Sequence, residues 1–186
     1  MNVANNTLVQ YQKVIQSCKN IFVNKTKDYG TAWRILRLPS VTDQIFIKAQ
    51  RIRTIQDTGT QKVNDTVEAE FIGIINYCII ALMQMQLTPN DPMELNPEDV
   101  AARYDAQVES TLHLQQNKNH DYNEAWRDMR VSSMTDLILM KIYRIKQIEG
   151  NDGYTIISEG IDANYRDIIN YAVFCMIKLD ENINNK

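Results

Sequence analysis

The chain repeats itself, and a duplication restricts the fold more than any other feature. Each copy must form the same supersecondary unit, and neighbouring copies must bury the faces that one unit cannot cover alone. NKTKDYGTAWRILRLPSVTDQIFIKAQRIRTI, residues 24–55, lies over NKNHDYNEAWRDMRVSSMTDLILMKIYRIKQI, residues 117–148, without a gap and with half of the positions identical. After one inserted residue the register resumes, setting DTVEAEFIGIINYCIIALMQM from Asp65 over EGIDANYRDIINYAVFCMIKL from Glu159. Upstream, Tyr11 aligns with Tyr104. We therefore read a first helical repeat over residues 1–86, a linker over 87–99 and a second repeat over 100–186, with Pro89, Pro92 and Pro97 interrupting any helix in between.

Periodicity makes both units helical, with no strand signal. The expected fold is all-α: two roughly four-helix units packed as a bundle with a pseudo-two-fold axis. In the first unit the opening helix should span about residues 7–23, with Leu8, Tyr11, Val14, Ile15, Cys18 and Phe22 on one stripe. A short second helix should follow Asp28, capped by it, and carry Ala32, Trp33 and Leu36. Ser40-x-x-Asp43 and Ser133-x-x-Asp136 have the form of a capping box and should start the third helix of each unit. The fourth, from Asp65 and from Glu159, is apolar nearly all round in its second half and belongs at the centre.

Composition narrows the function classes. A net charge of -3 without a run of Lys or Arg lacks the footprint of a duplex-binding protein, so duplex nucleic acid is not an expected partner. Cys18, Cys78 and Cys175 lie among apolar residues without a CxxC pair, which reads as reduced core thiols in a cytoplasmic protein. The start has no basic region leading into an apolar stretch, and the most apolar segment, 71–85, is short of the ~20 residues a span needs and contains Asn76; no membrane association is expected.

The polar residues kept by both copies carry the functional reading. On the third helix, Lys48 sits at the edge of the apolar face made by Ile45, Ala49 and Ile52, with Arg51 further out; Lys141 and Arg144 repeat the arrangement. A partly desolvated ammonium needs an anion, which can be a ligand phosphate or an internal carboxylate on the fourth helix. Asp65 and Glu68, with Glu159 and Asp162, form i, i+3 acidic pairs that either hold a hard cation such as Mg²⁺ or simply favour the positive end of their helix. Asn76 and Asn170 fall in the buried half and must be hydrogen-bonded to protein or to ligand. The loop motif Lys-x-x-Asp-Tyr, as Lys25, Asp28 and Tyr29 and as Lys118, Asp121 and Tyr122, precedes Ala-Trp-Arg in both units. Lys25 and Lys118 are then phosphate contacts, and Tyr29, Trp33, Tyr122 and Trp126 are surfaces on which a base can stack; Trp33 and Trp126 can equally fill core space. Neither His113 nor His120 is repeated. Asp167 faces Gly73 and occurs in one copy only, a sign that the two sites have diverged.

These motifs, with SEGIDANYRDIINYAVF in the second unit, resemble the nucleotide modification associated domain 1 family, a domain often duplicated in bacterial proteins and associated with nucleotide metabolism and phage base modification. The resemblance covers nearly the whole chain and implies a nucleotide or another phosphorylated small molecule as partner. The chain is more weakly similar to the all-α MazG-like nucleoside triphosphate pyrophosphohydrolases, which hold Mg²⁺ on acidic helices and cut between the α- and β-phosphates. Their Glu-Glu-x-x-Glu run is absent, and only the pairs Asp65/Glu68 and Glu159/Asp162 correspond to it. That similarity implies Mg²⁺-dependent hydrolysis with Asp121, Glu159 and Asp162 as catalytic carboxylates. The alternatives are a nucleotide-binding or accessory protein without turnover, and a structural helical module whose repeated charges are internal salt bridges. A homodimer is compatible with either.

Overall fold

The computed structural model describes residues 3–122 and 124–184, and the side chains of residues 6–116 and 124–182. The described residues are helices, turns and loops without strands, in the all-α arrangement that the duplication implies. In the first repeat, α1 spans Val3–Tyr29, a 3-10 turn spans Ala32–Ile35, α2 spans Leu38–Thr58 and α3 spans Val67–Gln84. The second repeat follows the same order with α4 at Pro97–Tyr122, a 3-10 turn at Ala125–Asp128, α5 at Val131–Gly150 and α6 at Ile161–Asn184.

Several expected boundaries shift. The Lys-x-x-Asp-Tyr motif is the end of α1 and not a loop, since the stripe of Tyr11, Cys18 and Phe22 continues through buried Thr26, whose hydroxyl donates to the Phe22 carbonyl. Gly30, at φ 62°, terminates the helix with its N–H on the Thr26 carbonyl. Asp28 caps nothing, because the 3-10 turn starts after Thr31 without a side-chain cap. The two capping boxes are also absent. α2 starts after an extended Arg37 with Pro39 in its first turn, and α5 after Arg130, so Ser40 and Ser133 already lie inside their helices. Side-chain caps do form at α3, where the Thr66 hydroxyl accepts from the Ala69 N–H at 3.1 Å, and at α4, where Asn96 Oδ1 accepts from the Glu98 N–H at 2.8 Å.

Asp43 and Asp136 work instead between the repeats. Asp43 pairs with Lys146, Asp136 with Arg53 at 3.6 Å, Thr42 donates to Glu149 and Gln56 donates to Thr135, so each contact has its counterpart across the pseudo-two-fold axis. These contacts join α2 to α5. α3 packs on α2 and on α6, and α6 on α5, which closes a central four-helix layer flanked by α1 and α4. One apolar cluster runs through both repeats, from Ile45, Ile52 and Ile79 to Ile138, Ile145 and Ile169, all fully buried. Each such isoleucine contributes about 1.5–3 kcal/mol. α3 is the helix among the described residues long and apolar enough to cross a membrane; here it lies inside this layer.

Candidate functional site

A cavity of about 510 Å³ opens in the first repeat between the end of α1, the 3-10 turn, α2 and α3. Its walls bring together Lys25, Tyr29, Trp33 and Lys48, four of the residues the repeated motifs single out. Tyr29 is 65% exposed at the mouth, and the Trp33 ring is partly buried with its indole N–H lacking a hydrogen-bond partner. Tyr77, Gln44 and Asn76 complete the polar lining, while Ile72, Gly73 and Ile80 supply an apolar floor. No carboxylate lines the cavity among the described residues.

Lys48 is anchored from behind. Its ammonium meets Glu70 at 3.1 Å, and the same carboxylate takes the Arg51 guanidinium. Glu70 is only 6% exposed, so two cations compensate its desolvation. Arg51 also donates to the carbonyls of Asp65 (2.7 Å) and Val63 (3.3 Å), which pins the α2–α3 loop and turns Arg51 away from the cavity. Glu70 was not legible as a site residue because the second repeat has Asn164 at that place; comparing what both copies kept passes over it. Gly73 allows the lysine to lie across α3: a Cβ there would stand 2.7 Å from the Lys48 Cδ and Cε.

The buried asparagines are satisfied within the protein. Asn76 Nδ2 donates to the Cys18 carbonyl at 3.1 Å and its Oδ1 accepts from Tyr104, while Asn170 Oδ1 accepts from Tyr11 at 2.9 Å. Asn76 nonetheless reaches the cavity wall.

The second repeat is built differently at the same places. Lys141 meets Asp167 at 2.6 Å, and Trp126 is buried with its ring stacked on Phe174, centroids 4.2 Å apart and planes 6° from parallel. Trp126 therefore presents its face to a side chain and not to a base. Arg166, at the position of Ile72, reaches back to α4 and meets the Thr111 hydroxyl at 3.1 Å. The side chains of Lys118, Asp121 and Tyr122 lie outside the described residues.

The acidic pairs do not form a cluster. Asp65 is exposed in the loop before α3, Glu68 is half-buried in the first turn of α3, Glu159 is exposed before α6 and Asp162 is exposed in its first turn. No group of three or more His, Cys, Asp or Glu side chains converges among the described residues, so they do not fit a resident Mg²⁺. Glu68 and Asp162 sit where the positive end of a helix favours them without a metal. Arg144 is exposed on a separate open groove, about 920 Å³, between α5 and the loop before α6, with Glu159 on the same groove.

No curated protein and no solved structure matches the chain. A family model does, in two stretches of the chain, residues 25–85 and 118–179, one in each repeat. They span the end of α1 through α3, the elements that build the cavity, and the end of α4 through α6, the equivalent elements of the second repeat. The chain belongs to the family described as Nucleotide modification associated domain 1, which it contains twice.

Proposed function

We propose that this protein binds a phosphorylated nucleotide in the cavity of its first repeat, in the service of nucleotide modification. The observation that carries the reading is the lining. The ionisable side chains on the cavity wall are two lysines and two tyrosines, beside a tryptophan and two amides. Lys25, and Lys48, whose Glu70 carboxylate is shared with Arg51, favour an anion, aromatic faces favour a flat ring, and amides can read its edge. The family description points to the same chemistry.

Binding without hydrolysis is the form this lining supports. Metal-assisted attack on a phosphate requires acidic ligands beside it, and here Asp65 and Glu68 lie off the wall. A metal taking part would arrive on the phosphates of its own ligand.

The test is a melting experiment with ribo- and deoxynucleotides, with and without Mg²⁺, while released phosphate and pyrophosphate are measured. A ligand at about 100 times its Kd adds about 2.7 kcal/mol, or roughly 5–10 °C for a chain of this size. A shift that Lys48→Met removes, without products, is the expected result. No shift with any nucleotide leaves the repeated charges as internal salt bridges only.

A further inference from the structure

A surface of the second repeat carries features that the cavity in the first does not explain. The loop of residues 151–160 between α5 and α6 holds Tyr154, Ile156 and Ile157 in water, at 67%, 87% and 95% exposure. The corresponding loop of the first repeat is polar apart from Val63, TQKVND over residues 60–65, and Arg51 ties it down through the Val63 and Asp65 carbonyls. Arg144 stands in the place of Arg51, yet it has no hydrogen-bond or ion-pair partner among the described residues. Its loop stands off α5, and the groove of about 920 Å³ lies between the two.

Groove and loop together have the make-up of a protein contact. Contiguous exposed apolar surface marks such sites, and tyrosine, methionine and arginine are enriched in them. Here α5 supplies Met140, Tyr143 and Arg144 to the groove, and Tyr143 is steadied edge-on against Phe46 of α2, with centroids 5.9 Å apart. Three charged side chains line the groove among the described residues, Lys141, Arg144 and Glu159. Asp167 already neutralises Lys141 at 2.6 Å, which leaves one cation and one anion unpaired.

Shape and charge both select a second copy as the occupant. In a two-fold contact one surface meets itself, so that residue i of each copy touches residue j of the other. A ridge made by Ile156 and Ile157 beside a groove is a knob next to a hole, and two copies can exchange them. Arg144 and Glu159 are complementary to themselves in the same way: two copies form the pair twice, whereas a partner of one charge sign leaves one of them unmatched. We propose that this face is a two-fold interface between copies of this chain, in which the Ile156–Ile157 ridge of each copy enters the groove of the other and Arg144 of each pairs with Glu159 of the other.

Sedimentation of the full chain over a wide range of concentrations tests this. The expected result is a reversible dimer. Ile157→Asp should raise its dissociation constant by about a hundredfold or more, because the interface buries that position twice. Ile157 is almost wholly exposed in the single chain, so the variant should fold, with the circular dichroism of the parent protein. Arg144→Glu and Glu159→Arg should each weaken the dimer by about tenfold or more, and the two together should restore it. A monomer at every concentration overturns the inference and leaves the loop to close over its own groove. A dimer that folded Ile157→Asp leaves intact overturns it too, as does a charge-exchanged double variant that associates no more tightly than the single ones.

Discussion

Tyr104 donates its hydroxyl to Asn76 Oδ1 at 2.9 Å, sending a side chain of α4 into the core of the first repeat. Tyr11 returns the contact to Asn170 at 2.9 Å. Each repeat thus satisfies the other's buried amide, and Asn76, through its bond to the Cys18 carbonyl, ties α1, α3 and α4 together beside the cavity.

Tyr104→Phe leaves the Asn76 carbonyl oxygen short of a donor in a buried site and should cost about 1–3 kcal/mol. Tyr11→Phe should cost a similar amount, because its geometry is the same. The two should differ in binding: Tyr104→Phe loosens a residue of the cavity wall and Tyr11→Phe does not. Urea midpoints measured beside nucleotide titrations of both variants check the pair.

Glu70→Ala should destabilise by about 2–3 kcal/mol, since it removes the carboxylate that holds both Lys48 and Arg51. The midpoint in urea should fall with an unchanged slope. An unchanged midpoint would mean that water satisfies both cations without help.

Burial holds the Glu149 carboxyl above its ordinary value of 4.5, against the hydrogen bond from Thr42, which lowers it. The folded state keeps this proton longer than the unfolded one, so between the two pKa values the unfolded chain binds fewer protons and stability falls as pH rises. Glu149→Gln, which copies Gln56 across the axis, should therefore be neutral or stabilising at pH 7, with the difference from the parent protein vanishing as pH drops below the usual glutamate range. Thermal unfolding across that range is the measurement.

Cys18, Cys78 and Cys175 are buried, and desolvation pushes their thiols up, Cys18 to about 12. Thiolate is the reactive form, so none of the three should label with a thiol reagent in the folded protein at pH 8, and all three should label in denaturant. Labelling of one cysteine in the native state would locate a local opening.

The duplication, the helical identity of each unit and the apolar stripes were legible because they are written at short range, in spacings of three and four residues along one segment. Lys25, Tyr29, Trp33 and Lys48 stood out because both copies retain their types, and they do line one cavity. Helix ends were harder to place. Ser40-x-x-Asp43 has the form of a cap, but both residues lie inside α2 and Asp43 pairs with Lys146 in the other repeat, a partner more than a hundred residues away. The counter-ion of Lys48 was equally hidden. Glu70 is the counterpart of Asn164, a carboxylate present in one copy alone, and only the packing of α2 on α3 brings it to the lysine. The sequence by itself determined that there would be two equivalent helical frames. Tertiary structure decided what each frame holds, because whether a lysine reaches Glu70 across Gly73 or meets Asp167, and whether a tryptophan stacks on Phe174, depends on distances between helices, and local periodicity does not encode those.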